Sequence, residues 1–137
     1  MTDRSPLETI QSLYEAFAAG DEATLRELLA PDVEWNQCAG FPGGAQRHGA
    51  DDVLDSILRG NKTTWVGFAA PVERFVADGD TVVALGAYAG THSETGLAMR
   101  SVFAHVYRVA GGRVVHFDQV ADTWPMVAAA RGEGLGA

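Results

Sequence analysis

Two periodicities divide this chain. Through its first half, apolar side chains recur at three- and four-residue spacing, the stripe of a helix buried along one side. In its second half they alternate with polar ones, the pattern of strands with one covered face. Ser5-Pro6-Leu7-Glu8 combines a hydroxyl cap, a first-turn proline and a glutamate three residues after the cap. It predicts a helix with Ile10, Leu13, Tyr14 and Phe17 as its stripe and Gly20 as its stop. Asp21 caps a second helix whose buried side is Leu25, Leu28 and Leu29 and which Pro31 ends. Asp32 to Asn36 reads as a short strand, with Val33 and Trp35 on one face, leading into the glycine-rich loop Gly40 to Gly44. A third helix follows His48-Gly49; Asp51 and Asp52 suit its N-terminal dipole, and Val53, Leu54, Ile57 and Leu58 form its apolar face up to Gly60.

The strand half begins after Trp65. Val66 to Ala77 and Thr81 to His92 flank the Asp78-Gly79 turn; Ser93 to Gly96 makes a second turn, and Ala110-Gly111-Gly112 a third. Short turns between successive strands describe an antiparallel meander. In the last hairpin, alternation separates Ser101, Phe103, His105, Tyr107 and Val109 from Arg100, Val102, Ala104, Val106 and Arg108. On the return strand it separates Val115, Phe117, Gln119 and Ala121 from Val114, His116, Asp118 and Val120. A β-bulge would reverse the second assignment. Asp122-Thr123-Trp124-Pro125 starts a final helix over Trp124 to Ala130, with Asp122 as its cap.

Three helices followed by strands is an α+β order, and the helices bury their stripes by lying across one side of a curved antiparallel sheet. The expected architecture is a cone-shaped roll with a short C-terminal helix. One domain over residues 1–131 and a flexible tail over 132–137 follow, since 137 residues suffice for one core.

Charge narrows the partners. A net charge of -8 with no Lys/Arg cluster repels phosphate backbones, which argues against nucleic acid. No apolar run is long enough for a membrane span, the beginning lacks a signal peptide's order, and the single Cys38 cannot form an internal disulfide; a cytoplasmic protein is expected. No pair of histidines has the close spacing of a metal site, so neither metal nor cofactor is expected. His92 at its turn, His48 at the third helix and Cys38 read as structural groups. Tyr14, Phe17, Trp35, Phe41, Trp65, Tyr88, Phe103, Tyr107 and Phe117, with Leu58 of the third helix, form the candidate wall of a ligand pocket, or else plain core.

In element order and in several short motifs the chain resembles the nuclear transport factor 2-like superfamily, above all the SnoaL-like branch related to polyketide cyclases and ketosteroid isomerase. The motifs are Tyr14-Glu15-Ala16-Phe17 with Gly20-Asp21, Pro31-Asp32-Val33-Glu34-Trp35, His48-Gly49-Ala50-Asp51-Asp52-Val53, Asp78-Gly79-Asp80-Thr81-Val82 and Gly112-Arg113-Val114-Val115. The resemblance implies a pocket between helices and concave sheet, and a homodimer paired through the sheet's outer face. In SnoaL-like cyclases a histidine on the penultimate strand and an acid/base aspartate on the last face the pocket. These positions fall on His105 and Gln119, and the resemblance turns Phe103, His105, Tyr107, Phe117 and Gln119 inward and Arg100, Arg108, His116 and Asp118 outward.

Glutamine cannot exchange a proton near neutral pH, so an aspartate's role does not pass to Gln119, although its amide can hold a carbonyl oxygen. His105, with an ordinary pKa of ~6.5, is the expected acid or base. The ketosteroid isomerase pattern lacks its carboxylates here apart from Tyr14 on the matching helix, and the Arg-x-Asp of limonene epoxide hydrolases does not occur. Two functions remain open. One is proton transfer beside a carbonyl (isomerisation, cyclisation or dehydration) on an apolar cyclic or polyketide-like molecule; the other is a non-catalytic ligand-binding or dimeric assembly module.

Overall fold

The computed structural model describes residues 4–60 and 62–134. Helix α1, Pro6–Ala19, opens on a reciprocal cap: Glu8 N donates to Ser5 Oγ at 3.1 Å, and Ser5 N to Glu8 Oε1 at 3.1 Å. It closes at Gly20, whose φ of 66° belongs to the left-handed region. Helix α2, Glu22–Leu28, is capped by Asp21, whose Oδ1 accepts from Thr24 N at 3.1 Å. Strand β1, Leu29–Asn36, follows at once. The second helix was expected to run to Pro31, but Leu29 is already extended, and Leu29 and Ala30 bury themselves as strand residues. Pro31 sits inside β1, where the missing N–H coincides with a shift in its pairing between Leu29 and Glu34.

The short strand β2, Gln46–His48, folds back on β1 after the glycine-rich loop; three polar residues carry no alternation by which to foresee it. Helix α3, Ala50–Arg59, ends at Gly60. The strands β3 Trp65–Ala69, β4 Val72–Asp78, β5 Thr81–His92, β6 Ala98–Ala110 and β7 Arg113–Ala121 complete the sheet, and α4, Trp124–Ala130, is the last element among the described residues. Asp122 Oδ1 accepts from Trp124 N at 3.4 Å at the start of α4. Of the expected 132–137 tail, Gly132 and Glu133 still donate to Ala129 and Ala128, while 135–137 lie outside the described residues.

The strand order is β2-β1-β7-β6-β5-β3, with β4 also on β5. The meander is antiparallel, but β1 runs parallel to β7, so the sheet is mixed at that one pair. The expected single strand Val66 to Ala77 is two, broken at Ala70-Pro71, and β3 and β4 share one edge of β5. Gly86 allows the break: a Cβ there would lie 2.2 Å from Pro71 O and 2.9 Å from Phe103 Cζ. The kinked edge and the α-helices bend the sheet around one concave face.

Strand β6 keeps strict alternation. Met99, Ser101, Phe103, His105, Tyr107 and Val109 are buried while Arg100, Val102 and Arg108 are exposed. On β7 a bulge at Val115 intervenes: Arg108 pairs with His116 but Val109 pairs with Val114. Val114, expected on the outer row, is therefore fully buried, whereas Phe117 and Gln119, beyond the bulge, stay on the inner face. None of the described helices is long and apolar enough to cross a membrane.

Gly86→Ala is expected to destabilise the chain by about 1–3 kcal/mol, because the added methyl group overpacks backbone that cannot retreat. Urea denaturation measures this; an unchanged midpoint would mean that the Pro71 kink yields.

Candidate functional site

The inner face carries one polar thread through apolar surroundings. His105 sits in mid-β6, opposite Gln119 on β7 and Ala84 on β5. Its ring stacks on Phe103, two residues earlier on the same face, with centroids 3.8 Å apart and planes 9° from parallel, and Phe117 meets it edge-on at 5.2 Å. Both ring nitrogens are taken by phenols: Nδ1 lies 2.5 Å from Tyr14 Oη of α1, and Nε2 lies 2.5 Å from Tyr88 Oη of β5. Tyr14 Oη is in turn 2.8 Å from Tyr107 Oη. At the other end Gln119 Nε2 donates to Tyr88 Oη at 2.7 Å, and the Cys38 backbone N–H donates to Gln119 Oε1 at 2.9 Å. Helix α1, three strands and the β1–β2 loop thus meet in one chain of hydrogen bonds.

Burial decides the charge state. Withdrawn from water and faced by phenols rather than carboxylates, His105 is pushed down to about 3. The same desolvation raises Tyr14, Tyr88 and Tyr107 far above the ordinary tyrosine range. The whole thread is neutral at pH 7. The expectation that His105 titrates near its ordinary ~6.5 is corrected accordingly, since that value presumes water around the ring.

The thread forms the polar floor of a cavity of about 70 Å³. Tyr14, Phe17, Trp35, Phe41, Tyr88, Tyr107 and Phe117 line it together with His105 and Gln119. It adjoins an outer cleft of about 1030 Å³ between α1, α3 and the β3–β4 kink, and Tyr14, Phe17, Ile57, Phe68 and Ala70 border both. Leu58 lines only the outer cleft. Two of the expected wall residues lie elsewhere. Phe103 packs beneath the His105 ring, and Trp65, only 2% exposed, packs edge-on to His92 at 5.1 Å, because β3 pairs with the far end of β5. Gln37, Ser56 and Phe68 are lining residues that sequence reasoning missed. A signal for Phe68 existed in Gly67: its φ of 67° lies at a pairing irregularity, after which Phe68 stacks on Tyr88.

The remaining polar candidates stay apart from the cavity. His116 binds Asp118 at 3.0 Å and Glu34 at 3.3 Å, while Asn36 Nδ2 donates to Asp118 Oδ1 at 3.0 Å, all across β1 and β7 on the outer face. His92 Nδ1 accepts from Glu94 N and Thr95 N, closing its own turn. His48 is exposed at the end of β2, and its backbone N–H donates to Asp52. Among the described residues no three His, Cys, Asp or Glu side chains come together as metal ligands. The chemistry available in the cavity is therefore hydrogen bonding and proton relay by neutral groups, against aromatic walls.

Comparison with known proteins agrees with this architecture. Among solved structures, a nuclear transport factor 2-like protein of Burkholderia thailandensis is 33% identical, with 92% of this chain and 97% of that one covered and a TM-score of 0.87. IdmH of Streptomyces antibioticus, a candidate polyketide cyclase, is 31% identical over 92% of this chain and 98% of its own, with a TM-score of 0.76. TerC, co-crystallised with polyporic acid, shares the fold at 24% identity, with 93% and 99% covered and a TM-score of 0.80. Among curated proteins, none matches the chain. The family model described as the SnoaL-like domain matches residues 10–117, and with it the chain belongs to the SnoaL-like family of the nuclear transport factor 2-like fold.

Proposed function

We propose that this protein binds a small apolar, ring-bearing molecule with a carbonyl or hydroxyl group and moves a proton beside that carbonyl, in an isomerisation, cyclisation or dehydration. The observation that carries this reading is the neutral chain of Tyr14, His105, Tyr88 and Gln119 on the floor of an aromatic cavity. A cavity of about 70 Å³ has room for an oxygenated head, which enters it while the apolar body rests in the outer cleft. Trp35 and Phe117, packed on each other with centroids 4.0 Å apart and planes tilted by 33°, supply aromatic wall for such a ring. His105 serves as the proton carrier, with Tyr88 taking the proton lost beside the carbonyl and handing its own to the ring while Tyr14 and Tyr107 pass one on to the carbonyl oxygen, so that the enol forms; Gln119 orders these neighbours. The relay needs no metal or cofactor. IdmH and TerC support the chemical class, as proteins of the same fold named for, or crystallised with, small organic molecules.

A specific observation favours a second role for the outer face. Val76, Val102 and Val120 are each about half exposed there or more, and the shared register of β4 to β7 brings them onto one side of the sheet. We assign this face to homodimer pairing. A cytoplasmic protein that holds its ligand without turning it over would use the same cavity and the same face, so the test must read chemistry rather than binding.

Deuterium exchange beside the carbonyl of cyclohexenone or β-tetralone, followed in D₂O by NMR, reads that chemistry without knowledge of the natural substrate. The native chain is expected to accelerate exchange and His105→Ala to lose about 10²–10⁴-fold of the acceleration. Binding of the ketones without accelerated exchange, or acceleration untouched in His105→Ala, would leave only the ligand-holding module.

Neutrality of His105 has its own signature. The folded ring takes up a proton only near pH 3, the unfolded ring near ~6.5. Between those values the unfolded state holds more protons, so stability is lost as pH falls through this window, by up to roughly 1.4 kcal/mol per pH unit from this group. Urea midpoints compared at about pH 7 and about pH 5.5 should fall for the native chain and fall much less for His105→Gln, which has no such proton to gain.

A further inference from the structure

We infer that Gln119 sets the direction of the hydrogen-bond chain through His105, so that Tyr107 is left holding the hydroxyl proton that meets a ligand. The direction is a property of the folded chain alone; its consequence for a ligand rests on the pocket reading above.

Counting protons gives the direction. The Cys38 N–H occupies Gln119 Oε1 at 2.9 Å, which settles which end of the amide is oxygen and turns the NH₂ group toward Tyr88. The amide then donates to Tyr88 Oη at 2.7 Å. A tyrosine has one proton to give, and the acceptor within reach of Tyr88 is His105 Nε2 at 2.5 Å. Neutral imidazole carries a single N–H, so an accepting Nε2 places it on Nδ1, which donates to Tyr14 Oη at 2.5 Å. Tyr14 passes its own proton to Tyr107 Oη at 2.8 Å. Every link runs head to tail, and each polarises the next. The opposite tautomer aims two donors, Gln119 and His105 Nε2–H, at the one oxygen of Tyr88 and strands the Tyr88 proton. In the ligand-free chain the glutamine thereby disfavours that tautomer. An ionised carboxylate at 119 would do the reverse, drawing the Tyr88 proton toward itself and leaving the phenol oxygen to accept from Nε2–H.

Tyr107 and Tyr88, the two ends of the relay, both line the cavity. A ligand carbonyl oxygen therefore accepts from Tyr107, and a ligand hydroxyl donates to Tyr88. In one passage the carbonyl oxygen gains the Tyr107 proton, Tyr107 gains that of Tyr14, and Tyr14 gains that of Nδ1. Nε2 gains the Tyr88 proton, and Tyr88 is refilled from the ligand hydroxyl. One O–H bond breaks and one forms on the ligand, the protein stays neutral, and the chain ends in the opposite tautomer, which the Gln119 contact returns to the starting form by proton exchange with water once the product leaves. The ligand class this selects is an enolised 1,3-dicarbonyl ring, in which the electron pair released at the hydroxyl shifts through the conjugated C=C so that C–OH and C=O exchange places, and Gln119 is a positioning residue that acts through Tyr88.

The tautomer of His105 is read directly by long-range ¹H–¹⁵N NMR of the ligand-free, ¹⁵N-labelled protein, which separates a protonated from a bare ring nitrogen. The native chain is expected to show Nδ1 protonated and Nε2 bare. Gln119→Leu should lose this preference and populate both forms, and Gln119→Glu, followed to a pH high enough to ionise the buried carboxyl, should exchange the two signals. Nε2–H in the native chain, or one unchanged tautomer in all three proteins, would overturn the inference. The native spectrum decides even if a variant fails to fold, and because no ligand is present, failure here is separate from failure of the ketone exchange assay.

Discussion

A buried imidazole between two phenols is the constraint on which the rest of this molecule depends. Three tyrosines, a histidine and a glutamine amide line a cavity whose other walls are mainly aromatic and aliphatic, and each must find a partner or carry a desolvation penalty of about 1–3 kcal/mol. They satisfy one another in a single line, closed at one end by the Cys38 N–H and without a charged partner. That solution keeps every group neutral, because removing water costs a charged form far more than a neutral one. It also makes the line an all-or-nothing device, since deleting one member strands its neighbours.

The fold supplies the geometry from distant parts of the chain. Tyr14 comes from the second half of α1, held by a capped start and a glycine stop that fix where the helix crosses the sheet. Ala84, small and fully buried, faces His105 across the strand and leaves room for the imidazole. The Pro71 kink bends the edge strand against Gly86 and helps seat Phe103 under the histidine ring. Gln119 fits the same economy: a carboxylate in this enclosed place would need water or a cation, whereas an amide is satisfied by Cys38 N–H and Tyr88.

Much of this was legible along the sequence, because local rules govern it. The caps at Ser5 and Asp21, the glycine stops, the turn at Asp78-Gly79 and the alternation on β6 each rest on a few neighbouring residues, and all appear in the structure. What could not be read was non-local. The Val115 bulge, the early entry into β1 before Pro31 and the break at Pro71 depend on how strands meet partners far along the chain. The site shows the same division: alternation aligned His105, Tyr107, Phe117 and Gln119 on common rows, but the Tyr14 and Tyr88 bonds to His105 span 91 and 17 residues. For the same reason the histidine's ordinary pKa misled; its real surroundings exist only after folding. Trp65 was misplaced because an aromatic at a strand start carries no sign of which end of a sheet it will close.

The central claim is that the polar floor of the small cavity is where a ligand's oxygen is received. Crystals of the protein soaked with β-tetralone test it most directly. The ring is expected against Trp35, Phe117 and Phe41, with the carbonyl oxygen within hydrogen-bond distance of the Tyr107 hydroxyl. A ketone confined to the outer cleft, with its oxygen directed to solvent and the tyrosine–histidine chain untouched, would contradict it.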